Sequence, residues 1–272
     1  MNSQIFGVEC ITSKANSTVV RISKLMQKKA RKEEKLFLLD GTKLFIEAYK
    51  FGAKIEYVVL NDSVSFEENV IDMIFDLKKK GTAVLCVGEG VFLKMTEEFA
   101  PQGIITVCGF LDTGRDFSLN SIKDSEKVMA FESVRDPGNI GAILRNAAAF
   151  GIDRLILSSD CADVYSQKVL RAAMGAIFKV KLHIVDNFAD TLKTLKEKRR
   201  IIATTLGENS LKLGDCQINS TDVFVIGNEG HGVSQETVEL SNETLFIPMC
   251  ENTESLNASV ATAILMWEMY NN

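Results

Sequence analysis

The chain alternates short continuous apolar runs with longer segments in which apolar residues recur every three or four positions. A short run of Val, Ile, Leu or Phe bounded by turn formers suits a strand buried on both faces, whereas the wider spacing puts one apolar stripe on a helix. On that reading residues 36–40, 55–60, 83–87 and 103–108 are strands. Residues 41–51 and 66–80 are helices between them, the second carrying Val70, Ile71, Ile74, Phe75 and Leu77. One basic amphipathic helix is expected over residues 18–32, with Val19, Ile22, Leu25 and Met26 as its stripe. Further along, strands are expected at 128–131, 154–157, 201–205, 223–226 and 245–247. Helices are expected at 139–150, 167–174, 188–198, 235–240 and 257–269. Between the two stretches, residues 112–126 lack apolar periodicity and are rich in Asp, Ser, Asn and Gly, so they read as a linker. The expected fold is α/β. A small α/β sandwich occupies residues 1–111, and a second domain, residues 127–272, is built on a mostly parallel sheet covered by helices on both faces.

Charge and composition narrow the function classes. No apolar run approaches the roughly 18–20 residues that span a bilayer, and Met1-Asn2-Ser3-Gln4 has neither the basic patch nor the apolar core of a signal peptide. A cytoplasmic protein with no membrane partner is expected. The six cysteines are scattered without a Cys-x-x-Cys pair and read as buried free thiols. With only His183 and His231 besides, no metal site is expected. A net charge of −5 argues against non-specific coating of nucleic acid. From Lys14 to Lys35, however, eight basic residues stand against Glu33 and Glu34, a local basic face compatible with a specific nucleic-acid partner or with a solvated surface helix.

Three segments of the second half interrupt the strand–helix rhythm with polar or Gly-rich sequence at strand ends, where open α/β sheets bind ligands. In residues 131–151, Asp136 can cap a helix and Pro137 is preset for its first turn. Arg145 lies off the stripe of Ile140, Ile143, Leu144 and Ala147, among small residues that let a phosphate or carboxylate approach its planar fork. Alone it reads equally as an exposed helix arginine. In residues 224–234, Gly227, Gly230 and Gly232 surround Asn228 and Glu229; the spacing is neither a Walker loop nor a dinucleotide fingerprint. Glu229 is placed to fix an arginine or a hydroxyl, and His231 reads as a loop surface residue. In residues 245–269, a strand and Pro248 lead into a polar loop and Ser255-Leu256-Asn257, of which Ser255 or Asn257 is a natural cap for the apolar helix that follows. Such a loop offers free backbone groups of the kind that recognise an adenine or a carboxylate.

In this order and spacing, the three segments resemble the signature motifs of the SpoU, or TrmH-type, RNA ribose 2′-O-methyltransferases of the SPOUT superfamily. The matching residues are Asn139 to Arg145, Gly227-Asn228-Glu229-Gly230 and Ser255-Leu256-Asn257, with residues 168–175 (KVLRAAMG) agreeing between them. The first half is similar to the ribosomal-protein-like RNA substrate-binding domain of that family at residues 11–14, 37–41 and 102–104. The resemblance implies a deep trefoil knot, a homodimer formed through the C-terminal domain, and S-adenosylmethionine as methyl donor. It implies donor contacts at Thr205, Leu206, Gly207, Ile226, Gly227, Asn228, Gly230, Ile247, Met249 and Leu256. Its implied functional set is Asn139, Arg145, Glu229, Ser255 and Asn257. Arg145 would activate the ribose hydroxyl, or hold the adjacent phosphate and stabilise charge on the 2′-oxygen. Asn139, Glu229 and Asn257 would position it and the ribose, while Ser255 would hold a phosphate or cap its helix. The expected substrate is ribosomal RNA. The alternatives are transfer RNA as substrate, or a non-catalytic RNA-binding protein that retains the fold.

Overall fold

A computed structural model describes residues 1–111, 122–207, 210–250 and 255–272. The chain forms two compact units, one of residues 1–111 with 165–178 and the other of residues 112–164 with 179–272. Of the expected linker, residues 112–121 lie outside the described residues, whereas Ile122 and Glu126 are buried parts of the second unit.

The first unit runs α1 (Asn2–Phe6), β1 (Cys10–Ile11), α2 (Ser17–Lys24), α3 (Lys28–Glu34), β2 (Leu36–Asp40), α4 (Thr42–Lys50), β3 (Ile55–Asn61), α5 (Glu68–Lys79), β4 (Ala83–Val87), α6 (Glu89–Phe92) and β5 (Ile104–Gly109). Its sheet has the order β1-β4-β3-β5-β2, with β5 antiparallel to both neighbours and the other pairs parallel. The apolar strands place Leu38, Val59, Ile105 and Val107 in one cluster with Val19, Ile22 and Leu25 of the basic helical segment.

That segment is two helices, not the single one expected over 18–32. Asn16 caps α2 by accepting from the backbone N–H of Thr18 and Val19. The chain then turns extended at Gln27 (φ −92°, ψ 133°) before α3 begins. Arg31 explains the break: it is 4% exposed, and its Nη1 donates to the carbonyls of Leu25 (2.7 Å) and Met26 (2.6 Å). These are carbonyls that a helix end leaves without a partner. A residue counted on the basic face is thus spent holding the fold.

The second half contains β6 (Val128–Phe131), α7 (Pro137–Ala149), β7 (Arg154–Ser158), α8 (Gln167–Ala173), a 3-10 turn (Ala176–Phe178), β8 (Lys181–Val185), α9 (Phe188–Lys196), β9 (Ile201–Thr204), β10 (Leu211–Lys212), β11 (Val223–Ile226), α10 (Gln235–Leu240), β12 (Glu243–Phe246) and α11 (Ala258–Asn271). The seven strands form an entirely parallel sheet of order β10-β12-β9-β11-β6-β7-β8. Central strands such as β11 are buried along their whole length, which is why they read as continuous apolar runs. Strand β8 carries Lys181 and His183 and was not expected. His183 is buried with Nε2 2.6 Å from Arg154 Nη1, so Nε2 must be the acceptor, because a guanidinium only donates. Arg154 and Lys181 in turn share the buried Glu126 carboxylate, at 2.8 and 2.6 Å. Burial works to raise the Glu126 pKa, and the bonds from Lys181 and Arg154 overcome it and hold the group below its usual range.

Helix α8, which the sequence reading puts in the second domain, packs within the first unit. Gln167 Nε2 donates to the Leu38 carbonyl at 2.9 Å, and the Tyr165 hydroxyl accepts from the Leu111 N–H at 2.8 Å. The Tyr165 ring lies 4.0 Å from that of Phe110 and 4.7 Å from that of Phe37. The thiols of Cys86, Cys108 and Cys161 are buried as expected, and burial pushes Cys86 up to about 12. Cys10 and Cys216 are half-buried and Cys250 is exposed, against the expectation of burial for all six.

Candidate active site

The carboxyl ends of the paired strands β9 and β12 open into a cavity of about 140 Å³. Its described walls are Thr204–Leu206 at and after the end of β9, Leu245–Ile247 and Met249 at and after the end of β12, and Ser255, Leu256 and Ala261 before and within α11. No charged side chain lines it among the described residues, and Leu206 stands exposed at 62% beside it. Apolar faces with the three hydroxyls of Thr204, Thr205 and Ser255 and irregular backbone suit a flat, neutral heterocycle. Five of the ten expected donor contacts line the cavity: Thr205, Leu206, Ile247, Met249 and Leu256. Gly207 follows Leu206 in the chain. Residues 208–209 and 251–254, which adjoin these walls in sequence, lie outside the described residues.

Ile226, Gly227, Asn228 and Gly230 are not among those walls. Ile226 is buried in β11. Gly227 is required by the loop itself, since a Cβ there would sit 2.1 Å from the Gly232 carbonyl carbon. Asn228 and Gly232 exchange backbone bonds of 2.9 and 2.8 Å across that turn. The Asn228 side chain accepts from the Gly230 and His231 N–H groups, and its Nδ2 donates to the Ser133 carbonyl at 2.8 Å.

The loop delivers Glu229 to the start of α7. Its carboxylate accepts from Asn139 Nδ2 (2.9 Å) and from the backbone N–H groups of Asp136 (3.0 Å) and Arg135 (3.1 Å). Burial tends to raise the Glu229 pKa, but these bonds, Asn139 foremost, hold it below the usual carboxylate range. Asn139 is 7% exposed, and its Oδ1 accepts from Asn257 Nδ2 at 2.8 Å. Asn257 Oδ1 caps α11 by accepting from Ser259 N (2.9 Å) and Val260 N (3.3 Å). Asn257, not Ser255, is therefore the cap, and Ser255 faces the cavity. A continuous polar chain runs from Glu229 through Asn139 to Asn257, one residue beyond the cavity wall at Leu256.

Arg145 stands outside that chain. It is six residues, about 9 Å of helix rise and about one and two-thirds turns, from Asn139 on α7. It is exposed and has no hydrogen-bond or ion-pair partner among the described residues, so its guanidinium remains available to a ligand. His231 is exposed, as expected.

Sequence reasoning missed the brace behind this loop. Ser133, at φ 55°, donates to Asp160 at 2.5 Å, Ser158 donates to the other Asp160 oxygen at 2.6 Å, and Arg135 lies 3.3 Å from the same carboxylate. The Ser-Ser-Asp ending of β7 was the available signal. Thr204, Leu245, Phe246 and Ala261 were also missed as walls, because they look like ordinary strand and helix residues until β9 and β12 are known to be neighbours.

Residues 126–267 match the model of the SpoU rRNA Methylase family, and residues 16–106 match the MRM3-like substrate binding domain. Over 261 residues the chain is 28% identical to the 23S rRNA (guanosine(2553)-2′-O)-methyltransferase RlmP of Bacillus subtilis, spanning 95% of this chain and 98% of that one. The 23S rRNA (guanosine-2′-O-)-methyltransferase RlmB of Escherichia coli is 29% identical over 74% of this chain and 84% of its own. An AdoMet-bound rRNA methyltransferase from Sinorhizobium meliloti superposes with a TM-score of 0.85 at 30% identity, covering 97% of each chain.

Proposed function

The chain belongs to the SpoU rRNA methylase family, and from that premise we propose that it transfers a methyl group from S-adenosylmethionine to a ribose 2′-hydroxyl of ribosomal RNA. The observation that carries the reading is the apolar cavity at the ends of β9 and β12, whose wall continues directly into the Asn257–Asn139–Glu229 chain. The knot expected from the resemblance follows from family membership.

The cavity fits the adenosine portion of the donor. Leu206, Ile247, Met249 and Leu256 offer apolar faces, while Thr205, Ser255 and the backbone of residues 205–207 and 247–249 offer polar groups. When bound, the donor would supply a methyl activated by its sulfonium, with the thioether S-adenosylhomocysteine as the leaving group. The chain's own work is alignment and charge control. Glu229, held ionised by three donors, fixes residues 135–139, and Asn139 joins that fixed turn to the start of α11. A guanidinium has donors and no acceptor, so Arg145 stabilises charge growing on the 2′-oxygen or holds the adjacent phosphate rather than serving as a base.

The functional form is a homodimer joined through the second domain, and the first domain binds the RNA substrate. Helix α11 supports the first point by exposing Val260, Trp267 and Tyr270 on one protein surface, an apolar load unusual for an exposed helix face. A ribosomal RNA substrate supports the reading of a cytoplasmic protein. Calorimetry with S-adenosylmethionine and transfer of labelled methyl to protein-free ribosomal RNA test the reading. Donor binding followed by ribose methylation is expected; failure to bind the donor would sink it, and binding without transfer to any RNA would favour an RNA-binding protein that keeps the fold.

A further inference from the structure

Among the described residues, three other than glycine have left-handed backbone: Lys35, Met174 and Ser133. Lys35 and Met174 close the C-terminal ends of α3 and α8, where that conformation is ordinary. Ser133, at φ 55°, lies two residues past β6 and ends no helix. A residue with a side chain stays in that region only where its surroundings hold it there.

All three polar groups of Ser133 are committed. Its N–H donates to Ser158 Oγ at 2.8 Å, its Oγ donates to Asp160 Oδ2 at 2.5 Å, and its carbonyl accepts from Asn228 Nδ2 at 2.8 Å. The buried Ser158 hydroxyl donates in turn to Asp160 Oδ1 at 2.6 Å. These bonds, Ser133 foremost, hold the Asp160 pKa below the usual carboxylate range. An ionised carboxylate only accepts, so both hydroxyls point their protons at it, and Ser158 Oγ is left to accept from the Ser133 N–H. The angle φ is rotation about the N–Cα bond. Asp160 grips the side chain on one side of that bond directly, and the N–H on the other side through Ser158. One carboxylate therefore fixes the angle.

The active-site loop is fastened to both sides of this bend. Asn228 holds the carbonyl of residue 133, and Glu229 accepts from the N–H groups of Arg135 (3.1 Å) and Asp136 (3.0 Å) and from Asn139 Nδ2. Relaxing residue 133 out of the left-handed region would swing its carbonyl from Asn228 and turn the next N–H groups from Glu229. We propose that Asp160 is a positioning residue of the methyl-transfer site, locking the bend at Ser133 so that residues 135–139 stay docked on Glu229. The proposal rests on the reading of the chain as an RNA methyltransferase. It adds a residue that, among the described contacts, touches neither the donor cavity nor the Asn257–Asn139–Glu229 chain.

The test compares the full-length wild type, Asp160→Ala, and Asp160→Ala combined with Ser133→Gly. Glycine restores neither bond to the carboxylate, nor the Arg135 contact, but it enters positive φ without steric cost. Turnover is measured as labelled methyl transfer to protein-free ribosomal RNA, and exchange of the residue 135 and 136 amides is followed by NMR. Asp160→Ala should lower kcat by about tenfold to a hundredfold, the scale of a small misplacement of reacting groups. It should also speed exchange at both amides, with affinity for S-adenosylmethionine unchanged in calorimetry, which reports that the variant is folded. The double variant should recover turnover and amide protection while its melting temperature does not recover, because glycine frees the unfolded chain. A role confined to stability would not give that split. In a chain that keeps Asp160, Ser133→Gly should likewise outpace Ser133→Ala, since both lack the hydroxyl and differ in access to positive φ. Unchanged turnover or unchanged exchange in Asp160→Ala, a double variant no better than the single one, or equal rates for the two Ser133 variants overturns the proposal. Absence of transfer by the wild type counts against the enzyme reading, and exchange at the two amides then still decides whether Asp160 holds the bend.

Discussion

Replacing Asn139 with aspartate probes the polar chain without changing its shape. The new carboxylate keeps an acceptor for Asn257 Nδ2 but puts an oxygen where Nδ2 stands, 2.9 Å from Glu229 Oε1. Two unit charges at that spacing repel by about 1.4 kcal/mol in bulk water and about 6 kcal/mol at an effective dielectric of 20. Glu229 is exposed, so the low end of that range applies to the repulsion. The lost hydrogen bond to a charged group adds a further amount of about 1.5 kcal/mol. A total near 3 kcal/mol corresponds to a fall of roughly 6–12 °C in melting temperature for a unit of this size. The pH dependence is the sharper signature. In the wild type, the depressed Glu229 pKa gives stability that is present above its unfolded value and lost as pH falls through the folded one. In the variant the two carboxyls must share a proton, so one folded pKa rises above its unfolded value and stability grows as pH falls toward that unfolded value. Asp136, whose Oδ1 accepts from the residue 139 N–H at 2.9 Å, adds to this repulsion. Differential scanning fluorimetry from pH 7.5 to 5 should therefore show the deficit of Asn139→Asp shrinking on acidification. A deficit that stays constant, or no deficit at pH 7.5, would refute the proposed geometry.

Four further outcomes are expected. Arg145→Ala should lower labelled methyl transfer by about two orders of magnitude, as loss of a transition-state donor does, with donor affinity unchanged in calorimetry; full activity would remove Arg145 from the mechanism. Gly227→Ala drives a Cβ into the Gly232 backbone, so the 227–232 turn must open, and both melting temperature and transfer should fall. Glu126→Gln leaves Arg154 buried without its counter-charge, at a cost of about 3–5 kcal/mol in chemical denaturation. Because the Glu126 pKa is depressed, the wild-type advantage over this variant should vanish as pH falls below the ordinary carboxylate range. Trp267→Glu should shift the protein from dimer to monomer in light scattering, and an unchanged mass would exclude α11 from the interface.

What the sequence disclosed followed the strength of local patterns. Strands such as β6 and β11 are buried on both faces, so their apolar runs are unambiguous, and Asp136 with Pro137 mark the start of α7 in the sequence itself. Strand β8 was hidden because Arg154 and Glu126, distant in sequence, make its lysine and histidine acceptable in a sheet. The break between α2 and α3 was hidden for the same kind of reason, since it depends on where one arginine turns. At the site, the resemblance of the three motifs pointed to Asn139, Glu229 and Asn257, but their hydrogen bonding to one another comes from helix and loop starts brought together by the fold. Ser255 and Asn257 could not be told apart as caps from sequence, because both residue types favour that position.

The exchange of residues 165–178 between the halves of the chain limits how this protein can be taken apart. Helix α8 is encoded inside the methyltransferase half, yet Val169 and Leu170 are fully buried within the unit formed with residues 1–111. A gene fragment beginning at residue 127 would expose those side chains and the ring of Tyr165 to water. A fragment ending at residue 111 would lose the covering over Phe37 and the partner of the Leu38 carbonyl. Neither piece of this chain is a ready module, so in protein engineering its two halves should be kept as a matched pair.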